Sequence, residues 1–322
     1  MANFKTASAY TKRSLKNVIL ENVRFCRCWV NRLLLSLKKM ILNAFTVDVE
    51  DYFQVGAFAN IIQPEHWDMW EFRAEKNTDR ILETLDHAGK KGTFFILGWI
   101  AKKSPQLVKR IAEHGHNIAS HGYGHQLVYT QSEDVFREDV HKTRGMLQDM
   151  TGQPVLSYRA PSFSITSKTP WAHKVLVECG YKYDSSVFPI HHDLHGNPNA
   201  PTYIHTIETE AGPLLEFPPA VIKIFGQNIP TGGGGYFRLF PFEISKRMLR
   251  SINQNGVPFV FYIHPWELDP DQPKVPNASM KSRFRHYINL KRTYSRLQRL
   301  LSAFEFAPME TVLESTKAHN VN

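Results

Sequence analysis

Two histidines, His121 and His125, stand four residues apart in NIASHGYGHQ (117–126), directly after a short apolar run. Imidazoles at that spacing can meet one metal ion, and Gly122 and Gly124 let the backbone turn sharply enough to bring both rings to one point. A third ligand is available in TVDVEDYF (46–53), where three acids end an apolar stretch, a poor place for solvated surface charge. On a strand, Asp48 and Glu50 project to the same side, while Asp51 follows in the turn. Two histidines plus one of these carboxylates leave a coordination position open for water, as catalytic zinc sites require. A second free carboxylate beside that water would take its proton. The competing reading of these acids is a helix cap with surface charge.

Two more polar side chains end apolar runs. In YRAPSFS (158–164) Pro161 fixes the backbone after Arg159, whose guanidinium can hold a carboxylate by paired hydrogen bonds. In FVFYIHPWE (259–267) the apolar run ends on His264, a candidate proton donor to a leaving group.

The elements that must position these groups alternate in type. Strands are expected at 41–47, 91–97, 116–120, 155–161, 181–186, 214–219 and 257–264. Helices are expected at 78–89 with Thr78 as cap, 104–115, 132–152, 168–180 and 241–256, then as one long basic helix over 279–302. Such alternation indicates a parallel sheet. Asp48, His121, Arg159, Asp184 and His264 all fall at or just past a strand's C-terminal end, which favours an α/β fold of the (β/α)-barrel kind, with about seven parallel strands. An open doubly wound sheet would more often carry a Gly-rich first turn, and none follows Asp48. TGGGGYFRLF (231–240) lacks the Lys-Ser/Thr of a phosphate loop and reads instead as a substrate-facing loop. HHDLHG (191–196) could mimic a metal site but lies in loop-rich sequence.

Composition bounds the rest. A chain of 322 residues, 42% hydrophobic and 21% charged, is globular and can bury an ample core. The net charge of +9 is uneven: residues 1–43 hold nine Lys or Arg against Glu21 alone, leaving about +1 for the remaining 279. That balance gives nucleic-acid binding by the main body no support. Residues 1–40 form a leader, expected as either a basic amphipathic helix (contact through 16–42) on an anionic membrane surface or a poorly ordered extension ahead of Met40. Residues 41–322 form the catalytic domain. Three cysteines, Cys26, Cys28 and Cys179, suggest no disulfide framework and fit a reducing compartment. With no recognisable export signal, the expected location is the cytoplasm, with attachment to the inner membrane face as an option.

Taken in order, FTVDVED, SHGYGH, YRAPSFS, YDSS and FYIHPWE resemble the polysaccharide deacetylases of carbohydrate esterase family 4 over residues 41 to 310. The resemblance is greatest to the subgroup found with bacterial exopolysaccharide and exosortase gene clusters. It implies a divalent metal, usually zinc, and hydrolysis of an N-acetyl group from an amino sugar of a glycan. It further implies Asp48 as base, Arg159 as its positioner, His121 and His125 as metal ligands, and His264 as acid. Pro161, Asp184 and Trp266 become the candidate substrate-binding positions. The family's first motif has adjacent aspartates, base then ligand, whereas Val49 intervenes here. Relatives with one inserted residue use the acid two places on, which points to Glu50, with Asp51 the rival. The aspartate–tryptophan motif that partners the acid histidine has no evident counterpart, and Trp266 and Trp171 are the candidates for its space. Two other functions fit the same motifs: a metal-dependent hydrolase of cyclic amides, and a glycan-binding relative without catalysis.

Overall fold

The structure, a computed structural model, describes residues 40–191 and 196–319. The leader therefore lies outside the described residues, as does most of HHDLHG. Eleven strands are described: β1 (Leu42–Val49), β2 (Thr93–Ile96), β3 (Asn117–Ser120), β4 (Ser157–Tyr158), β5 (Tyr183–Asp184), β6 (His205–Thr209), β7 (Gly212–Glu216), β8 (Val221–Ile224), β9 (Gln227–Pro230), β10 (Val260–Ile263) and β11 (Glu305–Ala307). Seven of them form one parallel run in the order β10-β1-β2-β3-β4-β5-β7. β6 adds antiparallel to β7, β11 pairs with the first residues of β1, and β8 and β9 form a separate hairpin.

The run curls toward closure, because Pro219, just past β7, bridges Val260 of β10. A single bridged pair there makes this a distorted barrel. The neighbouring seam uses the glycines of 231–240: Gly232 O accepts from Tyr262 N at 2.7 Å, and Gly233 bridges Tyr262. Gly233 has φ 142°, and a Cβ on it would stand 1.9 Å from Tyr262 O, so no other residue fits. Residues 231–234 are buried, and helix Gly234–Leu239 starts there. TGGGG is thus a packing seam rather than the expected substrate-facing loop.

Period-two alternation along β1 sorts its side chains. Phe45, Val47 and Val49 pack outward among the helices, with Phe94, Ile96 and Leu107. Ala44 faces inward with Phe95, Ala119, Phe217 and Val260, against Met309, Val312 and Leu313 of the last helix, Met309–His319. Asp48 and Glu50 continue the inward register toward the strand's C-terminal end.

Several expected elements shift for identifiable reasons. The first helix runs Ala74–His87, and Thr78 lies inside it, bonding Ala74 O, rather than capping it. The cap comes instead from a residue distant in sequence, described below. The long basic segment is two helices, Met280–Tyr287 and Leu290–Ala303, broken where Asn289 adopts the left-handed conformation at φ 54°. Helix Glu133–Thr151 is closed at both ends, Ser132 Oγ accepting from Val135 N and Gly152 lying in the left-handed region.

Candidate metal-binding active site

Glu50, His121 and His125 converge. Glu50 Oε1 stands 3.0 Å from His121 Nε2 and 3.0 Å from His125 Nε2. All three donor atoms lie within 4.8 Å of one another. β3 delivers His121, the turn through Gly122 at φ 72° reverses the chain, and His125 itself sits at φ 52°. A non-glycine residue held there is a mark of functional constraint.

The protonation pattern points to a shared cation. His121 Nδ1 lies 2.7 Å from the carbonyl of Arg159, which fixes the proton on Nδ1 and leaves a lone pair on Nε2. That lone pair faces a carboxylate oxygen, a repulsive arrangement unless the ring takes a second proton or a metal ion sits between. Burial pushes Glu50 up, but the imidazoles of His125, His264 and His121 outweigh it and hold the carboxyl well below its ordinary value. An ionised carboxylate with two imidazole nitrogens is a donor set suited to a divalent ion, and three protein ligands leave a position for water.

Asp51 is not the third ligand. Its Oδ2 accepts from Arg73 N at 2.6 Å and Ala74 N at 2.7 Å, and its Oδ1 from Tyr52 N at 2.8 Å. It caps the helix Ala74–His87 across the barrel rim, so the helix-cap reading of these acids holds for this residue alone.

Arg159 is fully buried and spends its guanidinium on one job. Its Nη1 donates to Asp48 Oδ1 at 2.6 Å and to Thr46 Oγ1 at 2.9 Å. Nη2 and Nε donate to Ser185 Oγ and Ser185 O, and Phe95 lies 4.1 Å beneath the guanidinium carbon. Asp48 Oδ1 is thereby fixed, while Oδ2 points to His264 Nε2 at 3.9 Å. His264 Nε2 is also 3.9 Å from Glu50 Oε1, so base candidate, metal ligand and acid candidate surround one point.

Behind His264 stands a pair that the sequence reading missed. His264 Nδ1 donates to Glu267 Oε1 at 2.7 Å, and Arg238 Nε donates to Glu267 Oε2 at 2.6 Å. Burial raises Glu267, but Arg238 and His264 overcome it and hold the carboxyl at about 2. Burial lowers His264, yet Glu50, Glu267 and Asp48 bring it up to about 9. Glu267 therefore fills the role expected of an aspartate–tryptophan motif, from three residues along the same segment. Its signal was present as the acid closing HPWE; Arg238, from the glycine seam, had no local signal.

The three candidate substrate-binding positions fare differently. Pro161 opens the single turn Pro161–Phe163 beside Arg159 and is buried. Trp266 is 5% exposed and sandwiched, its ring stacked on His264 at 5.4 Å and on His286 at 4.1 Å, so it offers no face to a sugar. Trp171 packs edge-on against Phe136, away from these rings. Asp184 has no exposed surface. It lies beneath the rim beside Ser186, His173 and Glu216. Burial, then the adjacent Asp184 carboxylate, raises Glu216 well above its ordinary value. Asp184 supports the turn that carries Ser185 to Arg159 and does not reach substrate.

Residues 67–183 match the polysaccharide deacetylase family model, and residues 185–314 match a domain of unknown function, DUF3473. Among curated proteins, the chain is 38% identical over 96 residues to a peptidoglycan-N-acetylglucosamine deacetylase of Bacillus cereus, covering 30% of this chain and 35% of that protein. It is 26% identical over 163 residues to a peptidoglycan deacetylase of Helicobacter pylori, covering 49% and 53%. The matches therefore span about half or less of these relatives' own length. A solved structure from Mycobacterium smegmatis, provisionally named a polysaccharide deacetylase, superposes with a TM-score of 0.60 at 19% identity, covering 88% of this chain and 92% of the other. Over residues 67–183 this chain therefore carries a polysaccharide deacetylase domain. Its site straddles the two matched regions, with His121, His125 and Arg159 in the first and His264, Glu267 and Arg238 in the second. Asp48 and Glu50 precede both.

Proposed function

We propose that this chain is a metal-dependent hydrolase that removes N-acetyl groups from the amino sugars of a bacterial exopolysaccharide or related glycan. The observation that carries the reading is that Asp48 Oδ2 and Glu50 Oε1 each stand 3.9 Å from His264 Nε2 at the barrel rim. The relatives' names support an N-acetylated amino sugar as the substrate class, and the resemblance of the motifs supports an exopolysaccharide. A divalent ion, zinc by that resemblance, held by Glu50, His121 and His125, would supply Lewis-acid activation of a water and of the acetamide oxygen.

The chain's own groups move the protons. Asp48, its Oδ1 pinned by Arg159, takes one proton from the attacking water on Oδ2. The hydroxide oxygen bonds to the acetamide carbon, and the carbon–nitrogen bond then breaks. His264, oriented through Nδ1 by Glu267, gives its Nε2 proton to the departing nitrogen, which leaves as the sugar amine while acetate is released. Acetate release from defined N-acetylhexosamine oligomers tests the whole reading. Activity should vanish with chelator and return on adding a divalent ion. Acetate release indifferent to chelator, or confined to cyclic amides, would sink it.

Glu267→Gln should lower kcat about 10- to 100-fold, because His264 loses the carboxylate that orients it and favours its charged form. With that carboxylate gone His264 gives up its proton at lower pH, so the basic limb of the kcat profile should move downward. A basic limb in the parent's position would show that Glu267 does not govern the acid.

A further inference from the structure

Helix Met280–Tyr287 wears its amphipathic pattern inside out. Its buried face is His286, which stacks on Trp266. At about 100° per residue the opposite face carries Met280, Lys281, Phe284 and Arg285, and all four are exposed. Met280 is 89% and Phe284 60% exposed. Apolar residues four apart on a helix ordinarily mark the side that packs. Here packing uses the other side.

The charge around this face is one-sided. From Gln272 to Phe304 there are eight Lys or Arg and no acid, in a body whose residues 44–322 carry only about +1. Arg296 is buried against the carbonyls of Phe237 and Arg238, and Arg299 pairs with Glu243. The other six, Lys274, Lys281, Arg283, Arg285, Lys291 and Arg292, are exposed, and among the described residues none has a carboxylate partner.

Cations alone would fit any polyanion. Protruding Met and Phe between them fit a layered surface, with phosphates outermost and acyl chains a few ångströms deeper. No helix among the described residues is long and apolar enough to cross a membrane, so contact would be peripheral. We propose that the outward face of Met280–Tyr287, with Lys274, Lys291 and Arg292 beside it, docks on an anionic phospholipid bilayer. Docking there brings the bilayer to the side of the barrel where His286 and Trp266 back His264. The inference is independent of the catalytic reading.

The test combines amide hydrogen exchange with vesicle flotation on the full chain. Vesicles containing phosphatidylglycerol should slow exchange in 280–287, and pure phosphatidylcholine vesicles should not. Lys281→Glu with Arg285→Glu should cut vesicle partitioning about 25-fold or more, roughly fivefold for each cation removed. Met280→Ser with Phe284→Ser should remove the protection of 280–287. Vesicle binding that leaves exchange in 280–287 unchanged would overturn the proposal and place the contact elsewhere in the chain. Protection by soluble polygalacturonate but not by vesicles would also overturn it, assigning the face to an acidic glycan.

Discussion

Asp48→Asn should lower the rate of deacetylation by about 10³-fold while leaving metal content and fold in place. The magnitude follows from removal of a general base, which contributes roughly 10²- to 10⁴-fold. Asparagine keeps an oxygen for Arg159 Nη1, and Arg159 retains Thr46 and Ser185 as acceptors. What is lost is the charge opposite a buried guanidinium, and breaking such a pair outright costs about 3–5 kcal/mol. The surviving hydrogen bonds place the variant toward the low end, a cost that a melting curve will read. The side chains of Glu50, His121 and His125 make no hydrogen bond to the Asp48 carboxylate, and the Glu50 N bond to Asp48 O is unaffected by the substitution, so metal should bind as before. Steady-state rates, elemental analysis and thermal melting on one preparation decide it. More than a tenth of parental activity with full metal content would remove Asp48 from the role of base.

The same residues show what a single sequence can carry. β1, β2, β3 and β10 were legible because each is a run of apolar residues buried on both faces, the signature of parallel strands. The groups at their ends, Asp48, His121 and His264, were legible for the related reason that polar side chains there contradict their apolar surroundings. β4 and β5 shrink to two residues each. They deliver Arg159 and Ser185, whose amides still bond across to Ser120 O and Tyr158 O, and runs so short carry no periodic signal. β6, β8, β9 and β11 escaped notice because they are edge or hairpin strands with mixed burial, which lack both an alternating and a continuous apolar signal.

Misread elements share one cause, which is partners distant in sequence. Thr78 has the chemistry of a cap, but the carboxylate that bonds the helix's first amides is Asp51, more than twenty residues earlier. The glycines of 231–235 look like a substrate-facing loop until Tyr262 is placed against Gly233. Arg238 gains meaning only from Glu267 and from the carbonyls of His286 and Ile288, about fifty residues away. Asp184 sits in a motif near the site, yet its neighbours His173 and Glu216 place it beneath the rim. Local propensity and spacing identify which residues are chemically unusual. Their partners are set by topology, and the partners decide whether an acid is a ligand, a cap or a brace.

Glu50 and Asp51 put that distinction to its sharpest test, since they are adjacent carboxylates with opposite assignments. Glu50→Gln replaces an ionised oxygen between two imidazoles by a neutral amide. Even outer-shell changes at metal sites cost 10- to 100-fold in affinity or activity, so loss of a ligand should exceed about 100-fold, and metal should fall well below one ion per chain. The variant's stability should change little or rise in the metal-free state, because a buried negative charge has gone. Asp51→Asn should do the reverse. Its metal content should stay at the parental level, while two backbone amides at the start of the Ala74–His87 helix, and that of Tyr52, lose an anionic acceptor. That should cost about 1–2 kcal/mol of stability. Metal analysis and thermal melting of the two proteins give four readings. Metal lost from the Asp51 variant but retained by the Glu50 variant would reverse the assignment and with it the geometry assigned to the water.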